Sequence, residues 1–295
     1  MTEPDKICVV VEDHELTLTN LAKVLYPEDG FAKSEVLDYY QRISSVLLPH
    51  VAGRPMTLKR YPEGVDGESF FQKHAPRHRP SWVRTERVES RSSRGRGETV
   101  DYVVIDDLPT LMWAANLASL ELHVPQWRFP HQDCPDLLVF DLDPGPPATI
   151  ADCCRVAEAL RPLLLADGFE PLAKTSGGKG LQLYARVGGV TSDEASERAR
   201  DYAERLEGDQ PDLVVSRMTK SLRRGKVLID WSQNNGSKTT VAPYSLRARP
   251  RPTVSTPVTW DEVESCRAPS DLSFTAPDVL TRVEKSGDLF APLLP

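Results

Sequence analysis

The 295-residue sequence holds no long hydrophobic run, only five cysteines, and no low-complexity stretch or fixed-period repeat. Its unbroken apolar segments last a few residues each, far short of the ~20 needed to cross a bilayer. The opening MTEPDKICVV carries charges where a signal peptide has its apolar core, so neither membrane insertion nor secretion is expected. An odd cysteine count, with Cys153 and Cys154 adjacent and no C-x-x-C, argues against a disulfide framework or structural zinc and fits a reduced cytoplasm. The six histidines supply no metal-ligand spacing. His74 and His78 are four apart, but Pro76 and Pro80 oppose the helix that would align them, and His131 near Cys134 lacks further local ligands. Neither G-x-S-x-G nor G-x-G-x-x-G occurs, which removes the common serine-hydrolase and dinucleotide-binding patterns. Excess positive charge is missing as well: Lys+Arg 36 against Asp+Glu 43 gives −7. A uniformly cationic nucleic-acid coat is thereby disfavoured, while local basic patches are not.

Two such patches are present. One is the tip of RTERVESRSSRGRGETVDYVV, with Arg91, Arg94 and Arg96, which reads as two strands and a turn; the other is the turn from Arg217 to Lys226, with Lys220, Arg223 and Arg224. Around them, Val36, Leu37, Tyr40, Ile43 and Leu47 recur at helical spacing after a cap at Ser34, ending near Pro49. Residues from Asp107 to Leu120 read as a buried helix with Pro109 near its start. Ala195, Ala199, Tyr202 and Leu206 stripe a charged surface helix opened by a Thr191/Glu194 capping box. Strand patterns fall at Thr99–Ile105, Asp136–Leu142, Leu181–Val187 and Lys226–Ile229. Strands interleaved with helices give an α/β fold of mixed α+β type. One continuous domain over 1–295 is expected, with an N-terminal subdomain over 1–80.

Chemistry concentrates at strand ends. LLVFDLDPGPP ends an apolar run in Asp141 and Asp143, whose side chains share one strand face while Phe140 and Leu142 take the other. Two carboxylates that close repel unless a cation sits between them, which points to Mg²⁺ or Mn²⁺, although an isolated D-x-D is as readily a turn with two solvated acids. A second strand, Val227-Leu228-Ile229, ends in Asp230, and a third carboxylate would complete the oxygen-rich shell two divalent ions need for displacement at phosphorus. The loop Lys174-Thr175-Ser176-Gly177-Gly178-Lys179-Gly180 can turn backbone N–H groups toward a phosphate, with Ser176 and Lys179 adding a hydroxyl and a charge. Leu181 follows where a Walker A loop needs Ser or Thr after its Lys. In the next strand Leu181 and Leu183 face one way, and Gln182, Tyr184 and Arg186 the other. Lys238, Arg247 and Arg249 offer cations for a triphosphate. Phe70 and Phe71 beside Lys73 form a candidate base-stacking platform, with one of the two rings expected to face the core.

Taken together, Asp141-Leu142-Asp143-Pro144, Ser176-Gly177-Gly178-Lys179-Gly180 and Ile229-Asp230-Trp231-Ser232-Gln233-Asn234, with Lys238 and Ala242-Pro243-Tyr244-Ser245, resemble the polymerase domain of bacterial DNA ligase D. That domain belongs to the archaeo-eukaryotic primase superfamily and acts in non-homologous end joining. Flanking strings carry the likeness nearly end to end: Leu18-Thr19-Asn20-Leu21, Lys23-Val24-Leu25-Tyr26-Pro27, Gly64-Val65-Asp66-Gly67 and Glu121-Leu122-His123-Val124-Pro125-Gln126-Trp127.

The resemblance implies a primase-like fold with central β-sheets flanked by helices. It also implies template-dependent addition of NTPs or dNTPs at gaps and ends, with Asp141, Asp143 and Asp230 holding two Mn²⁺ (or Mg²⁺) ions. Lys59, His123, Ser176, Lys179, Gly180, Gln182, Gln233, Lys238 and Arg247 would contact the nucleotide. Phe70 and Phe71 would stack on the template, Asn20, Lys23 and Lys33 would hold the 5′-phosphate of a gap, and Arg223 would lie in a loop that manages the primer. Lys33, just ahead of a helix start, suits an anion independently. Implied partners are DNA ends and gapped DNA, a separate ATP-dependent DNA ligase and a Ku-like end-binding protein, in the bacterial cytoplasm with the nucleoid. No K-x-D-G ligase motif is present, so a stand-alone protein or an excised domain is expected.

One position departs from the family: Gln182 stands where its second motif usually ends in His, and a neutral amide cannot become a cation. A DNA-end-binding and bridging module with weak or no polymerase activity is therefore the alternative. A haloacid-dehalogenase-type phosphatase, which also uses an aspartate pair, is disfavoured by Gly145 where its motif has Thr or Val.

Overall fold

Apolar stripes at helical spacing and alternating strands sort the chain into two units in the computed structural model, which describes residues 6–89 and 99–295. The first comprises the described part of Met1–Val124 with Tyr244–Val254 and Thr275–Gly287; the second comprises Pro125–Pro243, Ser255–Phe274 and Asp288–Pro295.

In the first unit β1 (Lys6–Val11) and β2 (His14–Thr19) form a hairpin, and β3 (Val24–Tyr26) pairs with β4 (Phe31–Ala32). Helix α1 (Lys33–Val51) follows, burying Val36, Leu37, Tyr40, Ile43 and Leu47 as the spacing predicts. It starts two residues earlier than a Ser34 cap would place it. Ala32 is the N-cap, and its N–H donates to the Glu35 carboxylate at 2.7 Å, half of a capping box. The helix also runs through Pro49. The proline lies in the final turn, and the Leu48 and His50 carbonyls at that end are taken by Ala52 N–H and Arg54 Nε.

A sheet in the order β9 (Ser119–Val124), β5 (Pro55–Arg60), β8 (Thr99–Val104), β7 (Thr85–Glu89) backs this helix, and β6 (Phe70–Gln72) also pairs with β5. Strands β7 and β8 are the expected pair; the tip with Arg91, Arg94 and Arg96 lies outside the described residues. Helix α2 is shorter than the apolar run, Leu108–Asn116, capped by Asp107. Ala118 at φ 56° turns the chain, and Ser119–Val124 joins β5 as a strand instead. Tyr39 and Tyr40 of α1 donate to the carbonyls of Tyr244 and Leu120 at 2.8 and 2.7 Å, which binds the returning segment to this core.

The second unit is a six-stranded sheet with helices on one face. After β10 (Leu137–Pro144) come α3 (Ile150–Ala166), β11 (Leu172–Thr175), β12 (Leu181–Arg186), α4 (Ser192–Asp209), β13 (Val214–Val215), β14 (Val227–Asp230), β15 (Thr240–Val241), β16 (Pro257–Val258) and α5 (Trp260–Ser265); α6 (Ala276–Ser286) returns to the first unit. The sheet order is β13-β14-β10-β12-β11-β16, antiparallel except between β13 and β14. Leu138, Phe140 and Leu142, Leu181 and Leu183, and Val227 and Ile229 all turn to one side, against Cys153, Val156, Ala157 and Leu160 of α3 and Ala195, Ala199, Tyr202 and Leu206 of α4. Alternation then sends the intervening residues, Asp141 among them, to the other side. The Thr191/Glu194 capping box opens α4 as expected. Among the described residues no helix is long and apolar enough to cross a membrane.

Candidate active site

The antiparallel register of β10 and β14 sets Asp141 directly opposite Asp230 and Asp143 opposite Leu228. The two strand-end motifs, 87 residues apart in sequence, thus meet. One oxygen from each of Asp141, Asp143 and Asp230 lies within 4.8 Å of the others. Burial, with the negative charges of Asp143 and Asp230, pushes the Asp141 carboxyl up to about 7, against the opposing hydrogen bond from Gln182. Three hard carboxylate donors gathered this closely fit a hard divalent cation such as Mg²⁺ or Mn²⁺ and suit soft thiophilic metals poorly.

Asp230 and Asp141 are held from the protein side. Asp230 accepts from the Ser232 N–H at 3.1 Å, Ser232 Oγ at 2.5 Å and Gln233 Nε2 at 2.9 Å, and Lys238 Nζ donates in turn to Ser232 Oγ. Asn234 bonds both the N–H and the carbonyl of Val139 at 2.8 Å, which locks the 3₁₀ turn Trp231–Asn234 onto β10. Asp141 Oδ1 accepts from Gln182 Nε2 at 2.9 Å.

The glycine-rich loop borders this centre. A Cβ on Gly180 would sit 2.4 Å from the Leu142 carbonyl and 3.6 Å from Asp143 Oδ1, so only glycine lets the loop pass this close to β10. Ser176 Oγ accepts from the N–H groups of Gly178 and Gly180 at 3.2 and 3.1 Å, shaping the loop from within, while Lys179 is exposed. Arg223, half-buried, belongs to a turn packed on the Pro144–Gly145 corner: a Cβ on Gly145 would collide with the Arg223 carbonyl, and Gly225 N–H donates to the Gly145 carbonyl at 3.0 Å.

The remaining candidates lie in the first unit, in two groups. In one, the register pairs Lys59 of β5 with Glu121 of β9 on one side and Phe71 of β6 on the other. Buried Glu121 accepts from His123 Nε2 at 2.9 Å and from Ala248 N–H at 3.0 Å, with Arg247 Nε 3.4 Å and Lys59 Nζ 4.0 Å away. Burial would raise its pKa, but the His123 hydrogen bond and the Arg247 charge hold it at about 2. Burial keeps His123 below the usual imidazole range despite Glu121. The expectation that one phenylalanine faces the core is not met. Phe70 and Phe71 are 46% and 58% exposed; Phe70 lies under Arg60 and Phe71 against Lys59 and the edge of His123.

In the other group Asn20, at φ 55°, opens a turn whose Lys23 carbonyl accepts the Lys33 N–H at 2.8 Å. Lys33 is the first helical residue rather than the one before it. Its buried ammonium donates to the Thr19 carbonyl at 2.6 Å, and burial with the charges of Lys23 and Arg60 lowers its pKa to about 8. Lys23 is paired with Glu63 at 2.7 Å. Sequence reading missed Glu121 and Lys174. The alternation Glu121-Leu122-His123 does put the acid on the histidine's strand face, whereas Lys174 was legible only as the first residue of a loop.

A cluster of three carboxylates on this sheet, beside a glycine-rich loop, goes with the class that the fold defines, the archaeo-eukaryotic primases. The model of the LigD primase-polymerase domain matches residues 32–290. The chain is 47% identical over 279 residues to the multifunctional non-homologous end joining protein LigD of Mycolicibacterium smegmatis, covering 94% of this chain and 36% of that protein. It is 31% identical to the bifunctional non-homologous end joining protein LigD of Bacillus subtilis, covering 92% and 43%. The solved polymerase domain from Mycobacterium tuberculosis Ligase D in complex with DNA superposes with TM-score 0.88 at 45% identity, covering 95% of this chain and 99% of that one. The chain belongs to the LigD primase-polymerase domain family, and it spans about a third of the length of the mycobacterial relatives.

Proposed function

We propose that this protein adds nucleotides to a primer end under the direction of a template strand, filling gaps and extending ends during non-homologous end joining. The observation that carries this reading is the meeting of Asp141, Asp143 and Asp230 across paired strands. Two divalent ions held there would supply charge neutralisation for in-line displacement at the α-phosphate. The chain's own residues would do the rest. Ser176, Lys179, Gly180, Gln182, Gln233 and Lys238 are proposed as nucleotide contacts near the carboxylates, and Lys59, His123 and Arg247, gathered on Glu121, as nucleotide contacts by family likeness. The exposed Phe70 and Phe71 offer π-faces to unpaired template bases. Asn20, Lys23 and Lys33, beside the start of α1, would take the 5′-phosphate of a gap. A DNA ligase would seal the product, with a Ku-like protein at the ends. The alternative, an end-binding module silenced by Gln182, is weakened because that amide donates to Asp141 and leaves all three carboxylates in place.

The test is extension of a labelled primer across a short 5′-phosphorylated gap, with each of the four template bases and with ribo- or deoxyribonucleotides. Addition that follows the template base supports the proposal. Tight binding to the gap with no addition under Mn²⁺ or Mg²⁺ overturns it in favour of the end-binding module.

A further inference from the structure

The ammonium of Lys174 is fully buried beneath the carboxylate centre, at 0% exposure. It lies opposite Gln182 in the β11–β12 register, and Gln182 lies opposite Asp141 in the β10–β12 register, so the three residues form a row across three strands. Lys174 Nζ donates to Gln182 Oε1 and, at 2.6 Å, to Ser255 Oγ, while Gln182 Nε2 donates to Asp141 Oδ1 at 2.9 Å. The orientation of the amide follows from chemistry. An ammonium has donors only and an ionised carboxylate acceptors only, so the amide oxygen must face Lys174 and the NH₂ must face Asp141. Beside it the Tyr184 hydroxyl lies 3.5 Å from Oε1 and donates to Thr240 Oγ1 at 2.9 Å, which also accepts from Gln126. Ser255 Oγ donates onward to the Thr175 carbonyl at 3.0 Å, which anchors the far end.

We propose that Lys174 is a positioning residue for the metal centre: it fixes the Gln182 amide so that its NH₂ holds one oxygen of Asp141 and leaves the other turned to the ion. The inference rests on the reading of Asp141, Asp143 and Asp230 as metal ligands. It makes a counterintuitive demand. Removing a buried positive charge near a cation site should, by Coulomb's law alone, tighten cation binding; removing a positioning group should weaken it.

The test is Mn²⁺ binding followed by electron paramagnetic resonance of the free ion, without DNA or nucleotide, in the wild type, Lys174→Met, Gln182→Leu, the double variant and Asp143→Ala. Lys174→Met is expected to weaken Mn²⁺ binding by about tenfold, within the range seen for outer-layer ligand partners. It should add no further loss to Gln182→Leu, because the two act through one contact. Unchanged or tighter binding in Lys174→Met, with Asp143→Ala still impaired, overturns the role of Lys174 and spares the metal centre. Wild-type affinity in Asp143→Ala overturns the centre itself. Two further readouts hold if Lys174→Met folds poorly. Ser255→Ala leaves the charge intact and should weaken Mn²⁺ binding in the same direction by a smaller factor; no change contradicts the proposal. In the metal-free protein the side-chain NH₂ resonances of Gln182, assigned with Gln182→Leu, should shift in Ser255→Ala, and resonances that stay put contradict it.

Discussion

At the scale of single residues, the behaviour of Asp141 decides how the centre responds to pH. Its folded-state pKa of about 7 stands above the ordinary carboxylate value of 3.8 because it is partly buried beside two other acids. The folded chain therefore binds this proton more tightly than the unfolded chain. Stability from this group is full below the ordinary carboxylate range and is lost as pH rises toward 7. A divalent cation reverses the preference, since it binds the ionised form. Calorimetric Tm is expected to rise more on adding Mn²⁺ at about pH 7.5 than at about pH 5.5, and Asp141→Asn should abolish that difference. An equal Mn²⁺ effect at both pH values would show that Asp141 does not compete for the ion.

At the scale of elements, caps and strand ends do the positioning. Thr191 accepts from the Glu194 N–H at 3.2 Å and its own N–H donates to the Glu194 carboxylate at 2.7 Å. Thr191→Ala should cost about 1 kcal/mol in urea unfolding, as lost caps do, without changing catalysis. The start of helix α1 is proposed to hold the 5′-phosphate of a gap: Lys33→Ala should remove most of the preference for gaps bearing a 5′-phosphate over the same gaps with a 5′-hydroxyl, measured as relative Kd. An unchanged ratio removes Lys33 from that pocket. These elements were legible to different degrees. The α1 and α4 stripes and the D-x-D strand could be read directly, since 3.6- and 2-residue periods are local. The end of α2 could not, because strand pairing of Ser119–Val124 overrode an apolar run that suits a helix equally well. Nor could α3, whose core-facing Cys153, Val156, Ala157 and Leu160 were not singled out as a stripe. The exposure of both phenylalanines on β6 depends on what covers that strand, which no local pattern encodes.

At the scale of the whole molecule, an acidic chain is proposed to bind a polyanion through local cations. Its affinity for gapped DNA should fall linearly with salt on logarithmic axes as counterions are released; salt-independent binding would contradict a phosphate-reading surface. The three carboxylates were legible in sequence as strand ends, and their convergence needed the sheet order β14-β10-β12. The Glu121 group was only partly legible, because Lys59, Glu121 and Arg247 come from segments far apart in the chain. The central claim is that the Asp141/Asp143/Asp230 centre performs metal-dependent nucleotide addition. The most direct measurement compares the wild type with Asp143→Ala in Mn²⁺-dependent primer extension, with DNA affinity measured in parallel. The account predicts that extension is abolished in Asp143→Ala while DNA binding stays close to wild type; extension at the wild-type rate in that variant would contradict it.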